Sequence, residues 1–281
     1  MPSLIDELKP SASDCRAFAR RLRLTAVRMV HEAKSAHVGG SLSMADLMAA
    51  LYGGVLRVDP HSPSWAERDR FILSKGHACA VFYAALASRG FFPLEWLDTF
   101  YRDGGRLAGH ASHTGVPGIE FSTGSLGHGL SVATGMALTA KRDGAPWRVF
   151  ALLSDGECDE GSTWEPALFA PQYKLDNLVV IVDYNKIQSL GRTKDVLDLD
   201  PFADKWKAFG WAVREIDGHD MDQVLDALTT VPFTKGKPSC VIAHTIKGKG
   251  VSFMEDKLLW HYRNPSIEEY NAAVAEIEAA P

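Results

Sequence analysis

Apolar residues along the chain fall into short continuous runs separated by longer stretches with helical periodicity. The short runs predict β-strands at "RFIL" (70–73), "RVFALL" (148–153), "NLVVIVDY" (177–184) and "SCVIAHTI" (239–246). The longer stretches predict α-helices at residues 14–34, 43–52, 78–88, 129–142, about 162–175 and 221–230. Continuous apolar strands that alternate with helices are typical of an α/β fold, in which helices cover both faces of a parallel sheet.

Two local signals concern the ends and continuity of these helices. Ser43 and Asp46 have the spacing of a capping box, which predicts a helix start at residue 43. Pro171 falls within the helix predicted from about residue 162 and should break it, because proline lacks the N–H that a helix interior requires.

The loops that follow the four strands are the first places to search for function, because parallel sheets bind ligands beyond the carboxyl ends of their strands. These loops read "SKGHA", "SDGECDEG", "NKIQSLG" and "KGKGVSF", and all are rich in glycine and polar residues. In the last loop, Lys247 and Lys249 either reach bound phosphates or lie on an exposed loop.

Charge and cysteine content exclude several classes of function. The chain has 281 residues and a formal net charge of −5, which argues against nucleic-acid binding and against a polybasic membrane patch. The basic cluster Arg20, Arg21 and Arg23 is interpreted as a solvated helix face. Four cysteines without a CxxC pair argue against a zinc site or a disulfide framework. With no long apolar run, the expected location is the cytoplasm.

The acidic loop after the second strand admits more than one interpretation. An EF-hand is excluded, because Glu160 and Pro166 stand where that loop needs glycine and glutamate. A plain Asp-Gly turn followed by acids at a helix start is one possibility. A magnesium–diphosphate site is another, with Asp155, Asn185 and the backbone carbonyl of Ile187 as oxygen ligands from neighbouring strand ends. The loop alone leaves both interpretations open.

The wider set of motifs resembles a known family. Asp155-Gly156, followed 30 residues later by Asn185 after an apolar strand, is similar to the diphosphate-binding motif of thiamine diphosphate enzymes. Ser154 replaces the usual first glycine of that motif, which requires that its φ not be strongly positive. The segments "SAHVGG", "LSKGHA", "LAGHASHTGVPGIEFSTGSLGHG" and "LLWHYRNP" add histidines in an order that resembles transketolase, closest to the amino-terminal subunit of split, two-chain bacterial transketolases.

The resemblance implies roles for individual residues. The implied metal ligands are Asp155, Asn185 and the Ile187 carbonyl. The implied cofactor-binding residues are His77, Gly124, Ser125, Leu126, Gly156, Glu160, Asn185 and His261. The implied catalytic residues are His37, His77, His110 and His261. Tyr262 departs from the family, which usually has glycine after this last histidine.

The resemblance also implies an activity, cofactors and a partner. The activity is transfer of a two-carbon ketol unit from a ketose phosphate to an aldose, with thiamine diphosphate and Mg²⁺, or Ca²⁺ or Mn²⁺ in its place. Residues 1–281 are expected to form a single diphosphate-binding domain with a helical tail at 266–281. A carboxy-terminal subunit with the pyrimidine-binding domain is then required, in a heterotetramer. Alternatives are a deoxyxylulose-phosphate synthase-like enzyme, an unusual-sugar transketolase and a non-catalytic cofactor-binding module.

Overall fold

The computed structural model describes residues 10–280 and contains a five-stranded parallel sheet. Its strands, in the spatial order β1-β2-β3-β7-β6, are β1 (Arg70–Leu73), β2 (Val149–Ser154), β3 (Leu178–Tyr184), β7 (Ser239–His244) and β6 (Ala212–Asp217). A separate antiparallel hairpin pairs β4 (Ile187–Gln188) with β5 (Gly191–Arg192). All four strands predicted from the sequence are present.

Helices alternate with the strands along the chain, as the sequence predicts. They are α1 (Ala12–Ala33), α2 (Val38–Ser43), α3 (Ala45–Ala50), α4 (Cys79–Ser88), α5 (Gly129–Asp143), α6 (Gly161–Gln172), α7 (Thr193–Val196), α8 (Phe202–Ala208), α9 (Met221–Thr229) and α10 (Ile267–Ala279). A capping box between Ser266 and Glu269 sets the start of α10. Within residues 10–280, none of the helices has the length and apolar character needed to cross a membrane.

Each face of the sheet carries its own apolar core, as the side chains of β2 show. Phe150 and Leu152 pack in one core with helices α1–α4, α9 and α10. Val149, Ala151 and Leu153 pack in the other core with α5, α6 and α8. Because successive side chains of a strand point to opposite faces, both faces of the sheet are covered. The predicted fold class is confirmed.

The prediction of one α-helix at residues 43–52 is wrong, both in the residue at which the helix starts and in its continuity. The segment contains α3 and a π-helical turn at Leu51–Val55, and α3 follows Met44. Ser43 makes no cap, because its hydroxyl donates to the carboxylate of Asp183 at 2.6 Å. Asp46 is instead drawn into an ion pair with Arg23. Tertiary partners for both side chains therefore replace the local capping interaction.

The helix after the acidic loop also differs from its prediction. Helix α6 is continuous from Gly161 to Gln172 and includes both Pro166 and Pro171. Pro171 does not break it, since it lies in the last turn and the helix ends one residue later. The backbone condition on Ser154 is met, because Ser154 is not among the residues with positive φ.

Candidate active site

A cavity of about 210 Å³ lies at the carboxyl edge of the sheet, where the loops after β1, β2, β3 and β7 meet. Eight of the twelve implied metal-binding, cofactor-binding and catalytic residues line it: His77, Gly124, Leu126, Asp155, Gly156, Asn185, Ile187 and His261. Four others lie outside its lining: His37, His110, Ser125 and Glu160. Segments far apart in sequence thus supply one pocket, at the edge where ligands bind in such sheets.

The predicted metal ligands come from two adjacent strand ends. Asp155 is 1% exposed, and its Oδ1 accepts a hydrogen bond from the N–H of Gly156 at 2.9 Å. Its Oδ2 accepts from the N–H of Lys186, which has a left-handed backbone with φ 68°. The Oδ1 of Asn185 accepts from the N–H of Ile187 at 3.2 Å. This tight turn brings a carboxylate, an amide oxygen and a backbone carbonyl to the same cavity.

The chemistry of this donor set fits a hard divalent cation. Asp155 is buried and has no ion-pair partner within residues 10–280, so a bound cation would compensate its desolvated charge. Oxygen donors are those that Mg²⁺ prefers. No group of three or more His, Cys, Asp or Glu in the described part of the chain is arranged to hold a metal, so a site built from the usual zinc ligands does not occur there.

A buried lysine also faces the cavity. Lys247 is 3% exposed, and its Nζ donates to the Ile187 carbonyl and to Nδ1 of His261, each at 2.9 Å. The interpretation that Lys247 lies on an exposed loop is therefore wrong. Burial lowers the pKa of Lys247 to about 8. Burial, followed by the charge of Asp183, raises the pKa of Asp155 to about 6.

An ion pair at the wall of the pocket was not predicted from the sequence. Lys75 and Asp183 form a salt bridge with side chains 1% and 0% exposed. The Asp183 carboxylate also accepts from the hydroxyls of Ser43 and Thr245 and from Nδ2 of Asn185. Burial alone would raise the pKa of Asp183, but the Lys75 ammonium and the hydroxyl donors hold it below its usual value.

The ion pair orients a predicted ligand. Asp183 only accepts hydrogen bonds and the N–H of Ile187 only donates, so the amide of Asn185 has a defined orientation. A charged residue inside the apolar run "NLVVIVDY" was the signal that could have revealed this arrangement.

Three other residues of the acidic loop differ in their surroundings. A Cβ at Gly156 would lie 2.6 Å from the Cβ of Gln188, so only glycine allows this approach. Glu160 is exposed at the start of α6 and lies against Gly127 of the glycine-rich turn. Glu157, which the sequence analysis assigned no role, is buried and accepts hydrogen bonds from Ser74 and the N–H of Gly127.

The four predicted histidines form one cluster. The ring centroid of His37 lies 5.0 Å from that of His77, 5.1 Å from that of His261 and 6.3 Å from that of His110. His77 and His261 are 5.7 Å apart. His37 has a left-handed backbone, with φ 72°, and both its N–H and its Nδ1 contact the carbonyl of His261. A strained backbone held by a tertiary contact is common where side chains are positioned for function.

Three histidines of this cluster, His37, His77 and His261, are neutral near pH 7. Burial, and then the neighbouring His110 and Lys247, lower the pKa of His37 to about 4. Burial, and then Lys247, lower the pKa of His261 to about 3. Burial also lowers the pKa of His77 well below its usual value. A neutral imidazole can accept a proton at one ring nitrogen and donate a hydrogen bond from the other, which suits contact with sugar hydroxyl groups.

These lowered pKa values predict that the fold loses stability in mild acid. An unfolded histidine binds a proton near pH 6.5, whereas His37 in the fold does so only near pH 4. Between these values the unfolded chain binds more protons, so stability falls as the pH drops. The contribution of His37 is about 2 kcal/mol between pH 7 and pH 5. Urea unfolding at several pH values measures this contribution. In His37→Asn, the unfolding free energy should fall less steeply as the pH drops. An unchanged dependence on pH in this variant would contradict the lowered pKa of His37.

Comparisons with known proteins agree with this geometry. The family model described as "Transketolase, thiamine diphosphate binding domain" matches residues 15–263. The 6-deoxy-6-sulfo-D-fructose transketolase subunit of Clostridium sp. (strain MSTE9) is 48% identical over 242 residues, which are 86% of this chain and 88% of that protein. An apulose-4-phosphate transketolase subunit of Phocaeicola vulgatus is 45% identical over 251 residues, 89% of each chain.

Solved structures show the same fold. The crystal structure of transketolase from Campylobacter jejuni superposes with a TM-score of 0.89 at 30% sequence identity, and the match covers 95% of this chain but only 43% of that one. The chain therefore spans less than half the length of that solved transketolase, and matches most of the length of relatives that are named as subunits. The resemblance predicted from the histidine and Asp-Gly motifs is confirmed, and the chain belongs to the transketolase family, whose thiamine diphosphate-binding domain it carries.

Proposed function

We propose that this chain is the diphosphate-binding subunit of a two-chain transketolase. The enzyme transfers a two-carbon ketol unit from a ketose phosphate donor to an aldose acceptor. The observation that carries the proposal is that the oxygen ligands, Lys247, His77 and His261 line one cavity, with His37 packed against both of these histidines. A cation and diphosphate site beside several neutral imidazoles suits a reaction in which sugar hydroxyls exchange protons.

The cavity is proposed to hold the diphosphate of the cofactor together with a divalent cation. Asp155, Asn185 and the Ile187 carbonyl would hold Mg²⁺, or Ca²⁺ or Mn²⁺ in its place. Gly156 leaves room for the diphosphate, and Lys247 would offset part of its charge. When bound, thiamine diphosphate supplies a thiazolium that accepts the electrons of a carbon–carbon bond broken beside a carbonyl.

The remaining predicted residues are proposed to orient the reactants. Leu126 would pack against the cofactor rings, and the Gly124 carbonyl would accept a hydrogen bond from its amino group, with Ser125 in the same turn. Glu160, exposed at the start of α6, would lie near the cofactor and the partner subunit.

The histidines of this chain are proposed to position the sugar and move its protons. His37 and His110 would hydrogen-bond its hydroxyls, while His77 and His261 would lie near the diphosphate and the reacting carbon. Because His37, His77 and His261 have lowered pKa values, each would be a neutral donor or acceptor at working pH. In the resting site each imidazole would therefore be uncharged, and it would become an imidazolium only while it holds a proton taken from a sugar hydroxyl.

A partner subunit is proposed to complete the active site. Residues 1–281 are proposed to form one diphosphate-binding domain with the helical tail 266–281, and the pyrimidine-binding domain is proposed to lie on another chain. Similarity to proteins named as transketolase subunits supports this division. The proposed partner is a carboxy-terminal transketolase subunit, and the proposed assembly is a cytoplasmic heterotetramer around a twofold axis.

Reconstitution tests the proposal. This chain is assayed alone and with a candidate partner of about 300 residues encoded beside it, using Mg²⁺, thiamine diphosphate and a ketose phosphate donor. Two-carbon transfer is expected only in the mixture. Transfer by this chain alone would contradict the divided active site, and a mixture that binds no thiamine diphosphate would contradict the cofactor site.

Similarity to enzymes named for uncommon sugars favours an unusual donor. The donor panel should therefore include 6-deoxy-6-sulfo-D-fructose and apulose 4-phosphate, the sugars in the names of the two relatives. Faster transfer from one of them than from common ketose phosphates would support an unusual-sugar transketolase. Condensation of a 2-oxo acid with an aldose phosphate would instead support a deoxyxylulose-phosphate synthase-like reaction, and cofactor binding without any turnover would support a non-catalytic module.

A further inference from the structure

A mostly buried series of hydrogen bonds connects helix α1 to the loop that carries Lys247. The guanidinium of Arg23 in α1 binds both carboxylate oxygens of Asp46 in α3, with Nη1 3.1 Å from Oδ1. Asp46 Oδ2 lies 2.7 Å from Nδ1 of His219, which follows β6. Nε2 of His219 accepts the N–H of Ile246 at 2.9 Å. The prediction that Arg23 belongs to a solvated helix face is therefore wrong, since its side chain is only 11% exposed.

These contacts define the protonation of His219. A backbone N–H only donates, so Nε2 must carry a lone pair and not a proton. Nδ1 must then carry the proton that it donates to the carboxylate of Asp46. His219 is thus a neutral imidazole that accepts on one side and donates on the other. A hydrocarbon side chain at this position would leave the Ile246 N–H without its acceptor.

The loop held in this way carries the lysine that faces the cavity. Ile246 immediately precedes Lys247, and the Lys249 carbonyl accepts from Nε of Arg23 at 3.2 Å, so Arg23 and His219 hold the loop on both sides of Lys247. The Lys247 stem also packs closely against Gly39, where a Cβ would lie 3.1 Å from the lysine Cγ. The position of the Lys247 ammonium therefore depends on backbone contacts that His219 completes.

We infer that His219 is a positioning residue for the cofactor site, acting through Ile246 on Lys247. The inference rests on the proposed function, in which Lys247 offsets the charge of the cofactor diphosphate. Partners that orient a ligand rather than touch it change affinity by roughly 10–100-fold when they are removed. Loss of the His219 acceptor should accordingly weaken thiamine diphosphate binding, while turnover at saturating cofactor stays close to that of the native enzyme.

Two substitutions separate positioning from simple packing. His219→Leu removes both hydrogen bonds, whereas His219→Gln keeps an amide oxygen for the Ile246 N–H and an amide N–H for Asp46. His244→Leu is the matched control, because His244 ends strand β7 and its imidazole is hydrogen-bonded to the exposed carboxylate of Glu215 rather than to the loop that carries Lys247. Each variant is combined with the partner subunit, and thiamine diphosphate is titrated with Mg²⁺ present, by fluorescence quenching and by activity.

The expected result is an apparent Kd for thiamine diphosphate about tenfold higher in His219→Leu, with most of the native affinity retained in His219→Gln and in His244→Leu. Equal affinity in His219→Leu and the native complex, or equal losses in both His219 variants, would overturn the inference. A native complex that binds no thiamine diphosphate would instead overturn the proposed function.

A second measurement keeps the inference testable if His219→Leu fails to fold. In ¹⁵N-labelled native protein, the imidazole ¹⁵N shifts of His219 are expected to show a protonated Nδ1 and an unprotonated Nε2. A proton on Nε2 at neutral pH would remove the acceptor for Ile246 and refute the inference without any variant.

Discussion

Replacing Asp155 with alanine should abolish two-carbon transfer by the complete enzyme. Asp155 is the one carboxylate among the three proposed cation ligands, and it lies buried at the end of β2. Removing a direct ligand should cost more than the roughly 10–100-fold loss that follows removal of a supporting partner. The measurements are initial rates with saturating thiamine diphosphate and titration of Mg²⁺ by calorimetry, and both binding and activity should be lost.

Two control variants distinguish the loss of a cation ligand from the loss of any carboxylate. Asp143→Ala removes an exposed carboxylate at the end of α5 and should leave activity unchanged. Asp155→Asn keeps one oxygen donor and the side-chain shape but removes the charge, so it should bind Mg²⁺ more weakly than the native chain. Full activity of Asp155→Ala would contradict the proposed cation site. It would favour the other interpretation of the acidic loop, a plain turn at a helix start.

Replacing Asp183 with asparagine should strongly destabilise the fold. The change leaves the ammonium of Lys75, which is 1% exposed, without its counter-ion. Breaking a buried ion pair by removing one partner costs about 3–5 kcal/mol, because the remaining charge stays desolvated. Urea unfolding followed by circular dichroism measures this loss. The variant should also bind Mg²⁺ more weakly, since Asp183 orients the amide of Asn185.

An exposed pair and a double substitution serve as controls. Asp204 and Lys207 form an i,i+3 pair on α8 with side chains 68% and 55% exposed, so Asp204→Asn should cost less than about 1 kcal/mol. Lys75→Met combined with Asp183→Asn removes both charges and should recover part of the stability lost in the single variant. Similar losses of unfolding free energy in Asp183→Asn and Asp204→Asn would show that the buried ion pair contributes little to stability.

The strands and most helices were predictable because their signals are local. The run "NLVVIVDY" is apolar at every buried position of β3 except Asp183, and β3 is buried along nearly its whole length. Strand β6 was missed because it lies at the edge of the sheet and only Ile216 within it is fully buried. Its sequence, "AVREID", is too polar to be distinguished from a loop by hydrophobicity alone.

The candidate site was only partly predictable for a related reason. Motif spacing identified Asp155, Asn185 and the histidines, because each follows a strand or precedes a helix. Lys75 and Asp183 were missed, because their importance depends on each other across 108 residues of sequence. The predicted capping role of Ser43 was wrong for the same reason, since its hydroxyl donates to the distant carboxylate of Asp183 and makes no cap at the start of the predicted helix.

By itself, the sequence determined the parallel α/β fold, the edge of the sheet at which ligands bind, and the family. These depend on hydrophobic periodicity and on residues at strand ends, which are properties of short segments. Only the tertiary structure decided which charges are buried and how they are paired, among them Lys75 with Asp183 and Arg23 with Asp46. It also decided that Lys247 faces the cavity and that His219 is a neutral acceptor. Burial and hydrogen-bond direction arise only when distant segments meet, and they shift the pKa values of Asp155, Lys247 and His37 at this site.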